Sequence, residues 1–107
     1  MALNHGIQQF LSEGHGLAAI GDVHAAMEQY AQARSHYRES LEIRRRLQDR
    51  AGEGWMLHHI AWTYAADETS CQAQHYLQQA SRIGEECYDT ELLTACAEVR
   101  NRLQANT

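Results

Sequence analysis

Apolar residues recur along the chain at spacings of three and four, the period of an α-helix that buries one face. Five stretches carry the pattern. The first covers about residues 3–27, with Ile7, Phe10, Leu11, Leu17 and Ile20 on roughly one side. Gly6, Gly14, Gly16 and Gly21 weaken it, and a break near Gly14 would leave residues 3–12 as a separate leading helix. The second, about residues 30–48, aligns Tyr30, Ala33, Tyr37, Leu41 and Leu47 inward and Arg34, Arg38, Glu39, Glu42 and Arg45 outward. Residues 49–54 form a polar, glycine-bearing connection, and a third helix begins inside or just after it, carrying Trp55, Leu57, His58, Ile60, Ala61, Trp62 and Tyr64. After a turn at 67–70, where Thr69 or Ser70 can cap, the fourth turns Ala73, Tyr76, Leu77, Ala80 and Ile83 inward. Asp89, Thr90 and Glu91 open a fifth, with Leu92, Leu93, Cys96, Val99 and Leu103 on one face and Glu98, Arg100, Asn101, Arg102 and Gln104 on the other. Long helix, short turn, long helix is the pattern of antiparallel hairpins.

The pattern repeats. Residues 14–21 read GHGLAAIG and residues 54–61, 40 positions later, read GWMLHHIA. Glu13 is answered by Glu53, Ala33 by Ala73 and Ile43 by Ile83. Leu93, Cys96 and Ala97 align with Leu57, Ile60 and Ala61 at an offset of 36, as though the last connection had shed four residues. Self-similarity of this size predicts an all-α stack of helical hairpins, in which each unit buries its apolar face against its neighbours.

Composition narrows the function. The 107 residues include no proline, so no position forbids helix on that account, and all nine basic residues are arginines. A net charge of −5 argues against nucleic acid, and the Arg44, Arg45, Arg46 run reads as a solvated face with Glu42 four residues from Arg46. Three cysteines without disulfide spacing, no signal peptide and no membrane-length apolar run predict a cytoplasmic protein with reduced thiols. No nucleophile motif, glycine-rich phosphate loop or paired catalytic carboxylates are present, so no enzyme and no cofactor are expected. Cys71 with His75, and the adjacent His58 and His59, lack the second ligand pair that structural zinc wants, so no metal is expected.

With these residues in place the hairpins resemble tetratricopeptide repeats. In the first unit Leu17, Ile20, Gly21, Ala33, Tyr37 and Ser40 occupy the family's positions, with His24 where an aromatic is expected. In the second they are Leu57 and His58, Ile60, Ala61, Tyr64, Ala73, Leu77 and Ala80. The period of 40 exceeds the usual ~34, and LQDRAGEGW at 47–55 is similar to the longer-repeat branch seen in kinesin light chains. The resemblance implies a short right-handed α-solenoid of about two units plus a capping helix. Its divisions would be a leading helix or cap at 1–13, repeats at 14–48 and 49–87, and the capping helix at 88–105. It also implies a non-catalytic interaction module that binds a protein or peptide on a concave face lined by the first helix of each pair.

Carried over by register, that face holds His15, Ala18, Asp22, Ala25 and Ala26, then Trp55, His58, Trp62, Ala65 and Ala66, then Glu91, Thr94 and Glu98. The partner-binding candidates are His15, Asp22, Trp55, His58, Trp62, Glu91 and Glu98. Trp55 and Trp62 are seven apart with His58 between them, so the three share a helix face. Tryptophans are favoured interface anchors, while the alternative is that one or both pack as core against the fifth helix. The family's carboxylate-gripping subclass does not fit, because Ala18, Asp22, His58 and Trp62 stand where its basic residues would be. An acidic rim of Asp22, Glu91 and Glu98 favours a neutral or basic partner instead. Two alternatives accompany this reading. One is self-assembly, such as a homodimer through Ile7, Phe10 and Leu11 of segment 3–11, which could equally cap the first repeat. The other is a small chaperone-like regulatory subunit.

Overall fold

The computed structural model describes the backbone of residues 2–105 and the side chains of residues 13–105. The described chain forms five helices: α1 (Ala2–Ala26), α2 (Tyr30–Arg46), α3 (Arg50–Ala66), α4 (Ser70–Glu86) and α5 (Thr90–Ala105). The three central helices are each 17 residues long. Consecutive helices pack as antiparallel neighbours, and α3 also contacts α5.

Every reversal is made the same way. Glu28, Gln48, Glu68 and Tyr88, stepped by 20, adopt left-handed backbone with φ of 61°, 56°, 61° and 53°. At the first turn the Gln29 N–H donates to the His24 carbonyl (2.8 Å) and the Glu28 N–H to the Ala25 carbonyl (3.0 Å). The same two bonds recur at 49 and 48, at 69 and 68, and at 89 and 88. This is the Schellman arrangement, which satisfies carbonyls that a helix end leaves without partners. The next residue in each turn is already the N-cap of the following helix, and the caps alternate. Asp49 and Asp89 accept from the N–H groups of Gly52 (3.0 Å) and Leu92 (3.1 Å). Gln29 and Thr69 make no side-chain cap bond, so the cap expected from Thr69 is not formed. A 40-residue repeat is thus written over a 20-residue step.

Two sequence expectations are corrected and a third is made definite. First, α1 runs through Gly14 without a break. The glycine serves close packing instead: Ser40 Oγ donates to its carbonyl at 2.8 Å, and a Cβ there would lie 3.3 Å from Ile43 Cγ2. Second, α3 starts inside the 49–54 stretch, at Arg50, so Gly52 and Gly54 are helical; a Cβ on Gly54 would meet Ile83 and Leu92 at 2.7 Å. Third, α5 starts at Thr90, 40 residues after Arg50, so no connection is shortened. The offset of 36 arose because four residues turn a helix by little more than one full turn, which returns the match to nearly the same face. The side chains of Ile7, Phe10 and Leu11, on which the capping and dimer readings turned, lie outside the described residues.

The core is built from small residues beneath large ones. Ala33, Ala61, Ala73 and Ala80 are 0% exposed beside Ile60 and Leu92, also at 0%. Arg44 departs from the solvated face assigned to it: it is buried and donates to Asp49 (3.0 Å) and Ser40 (3.4 Å), with His15 Nδ1 at 3.3 Å. Arg46 does meet Glu42, at 3.3 Å. Ile20 is also displaced from the core, at 45% exposed, while its repeat counterpart Ile60 is enclosed. The reason is position, since α3 packs on α2, α4 and α5 but α1 contacts chiefly α2.

A left-handed residue other than glycine carries a steric cost. Glu68→Gly is expected to stabilise the fold by about 0.5–1 kcal/mol, read as a higher urea midpoint at unchanged slope. An unchanged midpoint would mean that the turn holds Glu68 without strain.

Candidate binding face

Between α1 and α3 lies a cleft of about 350 Å³ lined by Asp22, Ala25, Ala26, Tyr37, His58, His59 and Trp62. Alanines on α1 opposite an indole on α3 leave the space open. Tyr37 reaches the cleft from α2 beneath Gly21, where a Cβ would come within 2.7 Å of its ring. Its hydroxyl donates to Asp22 Oδ1 at 2.5 Å. Burial, and then the bond and charge of Asp22, push the phenol well above its ordinary range, so it stays protonated and donating.

His59 stands edge-on to Tyr37, with ring centroids 5.2 Å apart. Its Nδ1 lies 2.7 Å from the Trp55 carbonyl oxygen. A carbonyl only accepts, so Nδ1 carries a proton. His59 Nε2 lies 4.0 Å from Asp22 Oδ1. His58, one residue earlier, is pushed down to about 4 by burial and then by His59, against a bond to the Ala95 backbone. It is uncharged at neutral pH, and its Nδ1 is buried with no partner.

The two tryptophans take different places. Trp62 is half-buried, lines the cleft and meets Tyr30 edge-on at 6.1 Å. Trp55 is also half-buried, but its indole N–H donates to Asp89 Oδ2 at 3.1 Å and fastens α3 to the turn before α5. Neither is fully enclosed core. On α5, Thr90, Glu91, Thr94, Ala95 and Glu98 line a second cleft of about 280 Å³. The 40-residue register sets Glu98 in line with His58 and Ala18.

Of the expected site residues, Asp22, His58 and Trp62 therefore come together, and Glu91 and Glu98 lie on the neighbouring helix. His15 faces Arg44 and, like Trp55, lines neither cleft. Tyr37 and His59 were missed. A usable signal existed for the first, because a buried tyrosine hydroxyl requires a partner. Among the described residues no group of three His, Cys, Asp or Glu side chains could hold a metal ion, and no helix is long and apolar enough to cross a membrane.

Antiparallel hairpins joined by the same turn, stacked with a 40-residue repeat, define a helical-repeat protein. The sequence profile of the tetratricopeptide repeat matches residues 15–99, and the chain belongs to that family. Repeats of this family generally mediate protein–protein interactions, and the family is typically non-catalytic. No curated protein and no solved structure matches the chain.

The state of His58 has a consequence for stability. Its value falls on folding from the ordinary 6.5 to about 4, so the charged form is disfavoured in the fold. The contribution is present above pH 6.5 and is lost as pH falls towards 4, on the order of 1–2 kcal/mol after allowance for partial exposure. His58→Gln should flatten this part of the stability–pH profile; an identical acid slope in the variant would contradict the assignment.

Proposed function

We propose that the chain is a non-catalytic interaction module that docks a peptide or helix across the face formed by α1, α3 and α5, with the Trp62 cleft as anchor. The observation that carries the reading is the cleft itself. It is concave, open, walled by an indole and a phenol, and furnished with few polar groups, the ordinary character of a recognition site. A cytoplasmic location and the second-repeat division at 49–87 go with this reading. Peptides selected from a displayed library on the wild-type protein should bind Trp62→Ala at least about tenfold more weakly, the loss typical of an interface anchor. Selected peptides that bind both proteins equally would place recognition elsewhere.

A second reading has its own observation. Ile20, Val23 and Met27 lie along one stripe of α1 and are 45%, 57% and 53% exposed. In the second unit the counterparts Ile60 and Thr63 are 0% exposed. A stripe at the end of a stack suits self-association by like-with-like contact about a two-fold axis. Sedimentation over a concentration series should show a dimer that Val23→Glu converts to monomer. A wild-type chain that remains monomeric at high concentration removes this reading.

A further inference from the structure

We propose that the Asp22–His59–Trp62 cleft recognises a basic side chain, by preference an arginine, on the docked segment; the proposal rests on the docking reading above and specifies its chemistry. The cleft presents the Asp22 carboxylate, and no arginine lines it. Asp22 Oδ1 and His59 Nε2 face each other across 4.0 Å, too far for a direct hydrogen bond. The Asp22 carboxylate stays open to the cleft, so an N–H donor group entering there can reach it. The carboxylate is held in place by the Tyr37 hydroxyl, so little ordering remains to be done on binding.

The walls suit the same guest. The aliphatic stem of a basic residue can lie along Ala25 and Ala26 while its charged head meets the face of Trp62. A guanidinium suits the site better than an ammonium, because its planar fork can grip a carboxylate while its face stacks on an indole. The rest of the electrostatics agree. Glu91 and Glu98 extend the negative surface along α5. The chain's arginines are absent from the lining of both clefts. Arg34, Arg44, Arg45, Arg46 and Arg50 pair with Asp67, Asp49, Glu53, Glu42 and Glu86 respectively. The nearest exception in register is Arg102, one turn beyond Glu98 on α5.

The test uses small defined probes on the full chain. N-acetylargininamide and its uncharged isostere N-acetylcitrullinamide are titrated to tens of millimolar while backbone and indole resonances are followed by NMR. The arginine probe should shift Asp22, Ala25, Ala26 and the Trp62 indole, binding at least about fivefold more tightly than the citrulline probe. Asp22→Asn, which keeps an acceptor for Tyr37, should reduce the arginine probe to the citrulline level. Equal binding of the two probes, arginine binding unaffected by Asp22→Asn, or shifts confined to other surfaces would each overturn the proposal. The docking reading is judged separately: selected peptides that still depend on Trp62 preserve it when the arginine preference fails.

Discussion

The fold depends on a turn that recurs every 20 residues. Reversing a chain within three residues, while satisfying the carbonyls of one helix and starting the next, requires one residue in the left-handed region. Here Glu28, Gln48, Glu68 and Tyr88 accept that conformation, although none is a glycine. Because the turns are equally spaced, the central helices have equal length, about 25 Å at 1.5 Å per residue. Equal helices stay in phase, so α1, α3 and α5 present corresponding residues to one side. The binding face is a product of that phase.

Two aspartates distinguish one kind of turn from the other. Asp49 caps α3 and accepts from Arg44, which also reaches Ser40 and His15. Asp89 caps α5 through one oxygen and holds the Trp55 indole through the other. Each therefore joins a helix start to a second element, at a turn leading into the first helix of a pair. The intervening turns at Gln29 and Thr69 lack a side-chain cap and rely on backbone bonds. A polar network placed in every second turn distinguishes neighbouring hairpins that would otherwise be interchangeable, a use for which buried polar groups are suited.

Much of this is legible in the sequence, and the exceptions have physical causes. The apolar stripes locate all five helices, since 3.6-residue periodicity reports burial directly. The start of α3 stays open in the sequence because its first turn, with Gly52 and Gly54, also reads as a polar connection; in the fold those glycines admit Arg44, Ile83 and Leu92. Arg44 and Ile20 were misjudged for opposite reasons. A charge is assigned to solvent unless its partners are visible, and those of Arg44 are 5 and 29 positions away. An apolar residue is assigned to the core unless no described helix covers it, as for Ile20. Asp22, His58 and Trp62 could be placed on one face from register alone. Tyr37 and His59 enter the cleft from positions that pattern assigns to the core and to a neighbouring face, so only tertiary packing reveals them.

The cleft exists because the repeats are unequal at the positions that face it. Ala18 corresponds to His58 and Asp22 to Trp62, at the same 40-residue register that makes the helices match. A perfect repeat would set tryptophan beside tryptophan, filling the space, or aspartate beside aspartate, opposing two like charges. A small and acidic helix beside an aromatic one leaves volume, an apolar wall and a single fixed carboxylate. The same asymmetry explains why Tyr37 can be buried at that point: Asp22 accepts the hydrogen bond from its hydroxyl, while Gly21 clears room for its ring. Identity between the repeats builds the stack, and their differences at positions 18, 22, 58 and 62 shape what it can hold.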